Sequence, residues 1–416
     1  MLKRNNKERG FDLLNTIMNS KRQDLHRVAV VAAGIVSPLG FGSTETLQSL
    51  RRARDCVTPV TAFPVDKTRC KTAGQIDEER LLRTARRSRR DQRLHRVSHM
   101  VITALAELLE DAPQFSPEIA VVGTTSGGMS FGENFYRSLG NGNGCSAALI
   151  ANYPPQKQIV DAMEKFGINV PAEIIANACA SGTNAIGHAF SAIRAGRYQR
   201  VLAGGYDALS ELVFVGFDSL QAATPEKCRP FDSNRSGMVL GEGAALFALE
   251  ELESARSRGA EIIGEIIGYG ISTDNHHLTQ PNPDGSGPRR AMEQALAQAR
   301  LAPKQVGYIN AHGTATVLND SAEGKAIMEL FADVPVSSTK SMMGHSLGAA
   351  GAIEAAVTLL ALQHQFLPPN INFRESDLSL NIVANEAREA QFDCAVSNSF
   401  GFGGTNATIV FRKFAR

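Results

Sequence analysis

Apolar and polar positions along this 416-residue chain fall into two alternating textures. Short runs of small and β-branched residues end in Gly-rich turns, and longer segments with helical spacing follow them. RVAVVAAGIVSPLG, from Arg27, predicts a buried strand and a Ser-Pro turn, with a helix over 43–54 capped by Ser43 or Thr44. Residues 77–109 predict one long helix, basic in ARRSRRDQRLHR and apolar in VSHMVITALAELL. IAVVGTTSGG and RVLAGGYDAL predict further strands. The second half repeats this logic. IIGEIIGYGI and YINAHGTAT read as strands, with helices over 288–300 and 320–331. VSSTKSMMGHSLGAAGAIEAAVTLLALQHQ reads as strand, loop and small-residue helix, and CAVSNSFGFGGTNATIVFRK as two strands around a Gly-rich loop. Such alternation predicts buried parallel strands with crossover helices, an α/β fold. The repeated texture predicts a duplication meeting near residue 260, with halves 27–262 and 263–416 behind a polar, basic extension, 1–26.

The candidate chemistry centres on Cys179. Ile174 and Ile175 read as the end of a buried strand, the chain turns through Asn177 and Ala178, and a helix follows that Gly196 closes. This puts the sulfur near a helix N-terminus, where free N–H groups favour an anion and lower a thiol pKa from about 8.5 towards neutrality. A free cysteine is more often a small apolar filler, but this one has company. His312 and His345 both sit beside Gly at strand-to-turn ends, where active sites of α/β folds collect. Taken singly, each is more readily a satisfied core residue than a functional one. His26, His95, His99, His188 and His364 read as solvated or structural, and His276 and His277 as solvated or substrate-lining.

Composition narrows the picture. A net charge of +1 argues against a nucleic-acid binder driven by bulk electrostatics. The six cysteines contain no CxxC pair, which speaks for a reduced compartment without structural zinc. No apolar run reads as a membrane span, and the basic start lacks the apolar centre of a signal peptide. A cytoplasmic protein is expected.

Four motifs, NACASG at Cys179, NAHGTAT at His312, KSMMGHSLGAAGAIE at His345 and NSFGFGGTN at Phe402, occur in this order. With them the chain resembles the β-ketoacyl-acyl-carrier-protein synthases of the thiolase superfamily, synthase II type, from Arg27 to Lys413. The resemblance implies a duplicated five-layer α-β-α-β-α sandwich, a homodimer, and decarboxylative condensation of an acyl group with malonyl carrier protein. It implies that Cys179 accepts the acyl group, that His312 and His345 complete a Cys-His-His site, and that Phe402 gates it. Lys340, Asp320 and Glu323 would support the site, and Thr279, Thr314 and Thr316 would bind the phosphopantetheine arm. That arm arrives on the carrier protein, so no cofactor of the enzyme's own is expected. Asn310, Glu354, Ser397 and Asn398 match a group that holds a structural Na⁺ or K⁺ in some relatives, or else form a buried hydrogen-bond network. The basic run with Arg86, Arg87, Arg89, Arg90 and Arg93 would dock an acidic acyl carrier protein, against the plain reading of a solvated helix face.

The chain departs from the pattern at Val317, where Pro is common, and at Ser126, which falls where a larger residue lines the acyl tunnel. The competing readings are a thiolase-like acyltransferase on coenzyme A esters and a ketosynthase subunit paired with a chain-length factor. Paired histidines disfavour the first, Cys179 argues strongly against the chain-length factor itself, and a cysteine hydrolase would have no use for the second His-Gly motif.

Overall fold

The structure, a computed structural model, describes residues 25–85, 94–140 and 147–415. Its frame is ten principal strands. They are β1 (Val28–Ser37), β2 (Ile119–Gly123), β3 (Ala172–Ile175), β4 (Arg200–Asp207), β5 (Gly243–Glu251), β6 (Gly264–Thr273), β7 (Tyr308–Asn310), β8 (Pro335–Ser337), β9 (Cys394–Gly401) and β10 (Thr405–Arg412). The order across the first half is β3-β2-β4-β5-β1, and across the second β8-β7-β9-β10-β6. Numbered within each half, both read 3-2-4-5-1. The senses also agree: β2 runs parallel to β3 and β4, and β7 parallel to β8 and β9, while the remaining neighbours are antiparallel. The two sheets join where Val28 of β1 pairs with Ile266 of β6, so they run on as one twisted surface.

Helix α1 (Arg96–Asp111) covers the outer face of the first half. Helices α3 (Ser286–Ala299) and α4 (Val317–Leu330) cover the second. Between the sheets lie α2 (Ser181–Arg194) and α5 (Ala350–His364), which completes the five layers. Both central helices are rich in Ala and Gly because they must approach each other and two sheets at once. A Cβ on Gly182 would stand 2.8 Å from the backbone N of Ala352, and one on Gly351 would stand 2.1 Å from Thr183 Oγ1. Glycine at these positions lets the starts of α2 and α5 touch. The segments just before them carry Cys179 and His345.

Four sequence-based expectations change. The strand before Cys179, β3, is half-exposed, because it is an edge with neighbours on one side among the described residues. The helix Ser43–Arg51 starts from Gly42 without a side-chain cap; instead the Glu107 carboxylate accepts the Ser43 N–H. The long helix over 77–109 is two helices, Glu78–Ala85 and α1, and His95 caps the second by accepting the Val97 N–H at 3.1 Å. One stretch, Leu347–His364, is after all long and apolar enough to cross a membrane. It is 89% buried and belongs to the central helix layer.

Candidate active site

Cys179 lies two residues before α2 and is nearly inaccessible. The turn that presents it is strained: Ala178 adopts φ 56°, which costs an L residue on the order of 1–3 kcal/mol. The backbone N–H groups of Phe402 and of Cys179 itself face the sulfur. Burial nevertheless wins. It pushes the thiol up to about 11, against the lowering by Lys340 and the two N–H groups. The expectation of a thiol acidified by its helix start is therefore corrected: desolvation of the anion outweighs the favourable dipoles, and the resting group is a thiol.

His312 follows β7, and His345 sits in the loop that leads to α5; both are buried. Their rings meet edge-on, with centroids 5.3 Å apart. One ligand atom each from Cys179, His312 and His345 lies within 4.8 Å of the other two. At His345, Nδ1 accepts the N–H of Leu347 at 3.1 Å. At His312, Nδ1 faces the Lys340 ammonium at 3.2 Å. Burial, then Lys340, holds both imidazoles well below their usual pKa, so both are neutral. A neutral ring that accepts at Nδ1 carries its hydrogen on Nε2. His345 Nε2 has no partner among the described residues. The site thus presents imidazole N–H donors beside the sulfur. The same set has metal-like spacing, but a metal-bound imidazole donates its other N–H to an acceptor. Here both Nδ1 atoms meet donors, so the arrangement suits an organic oxyanion better than a cation.

The surrounding cleft encloses about 300 Å³ and is lined by Cys179, His312, His345, Phe400 and Phe402, with Thr279, Thr314 and Thr316 among the others. Two family models match the chain, beta-ketoacyl synthase N-terminal domain over residues 25–255 and C-terminal domain over residues 263–374. The chain belongs to the beta-ketoacyl synthase family. A 3-oxoacyl-[acyl-carrier-protein] synthase 2 from Synechocystis is 35% identical over 413 residues, covering 93% of this chain and 98% of the relative. A putative mitochondrial 3-oxoacyl-[acyl-carrier-protein] synthase from Schizosaccharomyces pombe is 36% identical over 94% of this chain and 100% of its own length. Among solved structures, the ishigamide ketosynthase/chain length factor superposes with TM-score 0.89 at 32% identity, over 94% of this chain and 100% of that one. A beta-ketoacyl synthase from Burkholderia phymatum gives 0.85 at 32% identity, with the same coverage.

Within this beta-ketoacyl synthase, the supporting residues divide by what they touch. Lys340 is fully buried and bridges Glu354 Oε1 and His312 Nδ1. Glu323 accepts the N–H groups of His312 and Gly313 at 2.9 and 2.8 Å, which fixes the turn that presents the ring. Asp320 is further back; it accepts the Phe231 N–H at 2.8 Å and does not line the cleft. Thr314 and Thr316 hydroxyls lie 2.9 Å apart on the wall, so they act as one polar patch. His276 and His277 lie outside the cleft lining, and His277 Nδ1 instead accepts the Thr279 N–H at 3.1 Å.

The candidate cation group fits in part. Asn310 Oδ1, Glu354 Oε2 and Ser397 Oγ are buried oxygens without a partner among the described residues, as a bound Na⁺ or K⁺ would require. The Asn398 side chain is committed elsewhere: it donates to Glu323 Oε1 and accepts from Thr408. Ser126 does not line the cleft either. Its hydroxyl donates to Asp207 Oδ1 at 2.8 Å, which ties the TTSGG turn to the end of β4. The arginines 86, 87, 89, 90 and 93 lie outside the described residues. Asp207 itself went unread in the sequence; an acid ending a buried strand, in AGGYD, was the available signal.

Proposed function

We propose that this chain is a β-ketoacyl-acyl-carrier-protein synthase. It extends an acyl group on Cys179 by two carbons taken from malonyl carrier protein, in fatty-acid or related polyketide or polyene synthesis. The observation that carries the reading is the pair of occupied Nδ1 atoms, which makes both imidazoles Nε2–H donors beside the sulfur. A hydrolase needs a ring that accepts the nucleophile's proton at that face. This site offers donors there.

In the loading step the sulfur attacks the carbonyl carbon of an acyl thioester. The oxyanion meets the N–H groups of Cys179 and Phe402, and one such donor is worth about 3 kcal/mol of barrier. The carbon–sulfur bond to phosphopantetheine then breaks. The thiol proton of Cys179 ends on the departing pantetheine sulfur, so the exchange releases no net proton. A thiol of high pKa is compatible with this, because the proton moves with the transfer.

In the second step the carbonyl oxygen of the malonyl thioester sits at the Nε2–H groups of His312 and His345. Carbon dioxide leaves, and the electron pair of the broken bond becomes an enolate held by the two donors. Neutral rings stabilise this charge without protonating the carbanion. The carbanion attacks the acyl-cysteine carbonyl, the carbon–sulfur bond breaks, and Cys179 takes up one proton to return to the thiol.

The partner in both steps is an acyl carrier protein, docked through the basic run around Arg87, Arg89, Arg90 and Arg93. The strand Ala172–Ile175, at the edge of the sheet among the described residues, gives a place for a second subunit to pair. A homodimer in the cytoplasm is the first reading. The second reading pairs this chain with a chain-length factor, and the likeness to the ishigamide ketosynthase/chain length factor favours it. Intact-protein mass spectrometry after incubation with acyl and malonyl carrier proteins tests the function. An acyl adduct on wild type but not on Cys179→Ala, and a carrier-bound product two carbons longer, are expected. An adduct that persists in Cys179→Ala, or free acid in place of extended product, overturns it.

A further inference from the structure

Asp207 closes β4 and is fully buried. Every group that faces its carboxylate donates. Oδ1 accepts from the Thr124 hydroxyl at 2.6 Å and from the Ser126 N–H and hydroxyl at 2.9 and 2.8 Å. Oδ2 accepts from the Thr125 N–H and hydroxyl at 3.0 and 2.6 Å. Its last partner comes from the other half of the molecule: the Gly348 N–H, at 2.7 Å. A Cβ on Gly348 would stand 2.7 Å from both Asp207 Oδ2 and the Thr125 nitrogen, so this approach admits only glycine.

The residue before Gly348 is Leu347, at φ 53°, a conformation an unrestrained leucine leaves. In it, the Leu347 N–H reaches His345 Nδ1. The backbone of His345 is held separately, by the Val239 carbonyl, which accepts its N–H at 2.7 Å. The ring's tautomer therefore depends on the strained leucine, and the leucine on the anchor that follows it.

We infer that Asp207 is a positioning residue for His345, holding the Leu347–Gly348 turn so that His345 is kept as the Nε2–H donor. Asp207 does not touch substrate; it acts through Gly348 and Leu347. The inference rests on the reading of His345 as a donor in the malonyl half-reaction. It also predicts a separation of the two half-reactions. Asp207 is among the charges that raise the Cys179 pKa, so removing its charge makes the sulfur more reactive. General damage to the site would slow both.

The test compares Asp207→Asn, Gly348→Ala and His345→Ala with wild type, with near-UV circular dichroism as the check on folding. Three readouts are taken: carbon dioxide release from malonyl carrier protein, alkylation of Cys179 by iodoacetamide, and the His345 tautomer by ¹⁵N NMR of histidine-labelled protein. Asp207→Asn should lower decarboxylation about tenfold or more, the scale of a displaced acid–base group. Alkylation should stay at or above the wild-type rate, and the His345 signals should lose pure Nε2–H character. Gly348→Ala, which breaks the link from the other side, should lower decarboxylation and disturb the tautomer likewise, and it carries the test if Asp207→Asn does not fold. Unchanged tautomer signals, or a parallel loss of alkylation and decarboxylation in both variants, overturn the inference. Wild-type decarboxylation by His345→Ala would instead overturn the donor reading on which it rests.

Discussion

Lys340 Nζ stands 3.2 Å from His312 Nδ1 and also pairs with Glu354, with all three side chains closed off from water. The contact sets the character of the site: burial first, and then the cation at Nδ1, keep His312 neutral, and the contact turns its single hydrogen towards the cleft. Replacing Lys340 by Met should remove that bias and leave Glu354 without its partner. Decarboxylation should fall by roughly one to three orders of magnitude. The acid limb of its pH profile should move to higher pH, because Lys340 lowers the pKa of both histidines. Single-turnover kinetics across pH checks this, and an unmoved limb would mean that Lys340 is a structural charge only.

The thiol gives a second pH signature. With its pKa pushed up to about 11, Cys179 is almost wholly protonated at neutral pH, and its thiolate fraction grows tenfold per pH unit below that value. Alkylation by iodoacetamide should therefore still be climbing above pH 9. A plateau near pH 7 would show that the helix start outweighs burial.

How legible was this in the sequence? The strand and helix textures, the duplication and the Cys179, His312 and His345 constellation follow from motifs local in sequence, and each motif shapes its own turn. What decides protonation is not local. Cys179 reads as acidified when its helix start is taken alone, but it lies buried with Ser399, Gly401 and Phe402 of the far half of the chain against it. The tie from the Ser126 hydroxyl to Asp207, eighty-one residues away, is equally invisible in TTSGG. Asp207 passed unread because a lone acid after a strand reveals nothing until Gly348 is seen against it.

The unpartnered oxygens of Asn310, Glu354 and Ser397 predict a stabilising monovalent cation. Melting temperature should be higher in Na⁺ or K⁺ than in choline at equal ionic strength, by mass action on the folded state. Burial pushes Glu354 up to about 7, where a proton competes with the cation, so the difference should be larger at pH 8 than at pH 6. Equal melting in all three salts would leave a hydrogen-bond network alone.

Reversing Arg89, Arg90 and Arg93 to Glu should weaken carrier-protein binding, chiefly through a slower association rate, and flatten its salt dependence. Stopped-flow binding at two ionic strengths measures both. Association at the wild-type rate at low salt would make the run an ordinary solvated surface.

The central claim is that His312 and His345 are donors for the malonyl half-reaction and not bases for Cys179. The direct measurement is carbon dioxide release from malonyl carrier protein by His312→Ala and by His345→Ala, beside acyl loading of Cys179 in the same preparations. Decarboxylation should fall by roughly two to four orders of magnitude in each variant, while loading falls far less. Decarboxylation at the wild-type rate with loading abolished would contradict the account.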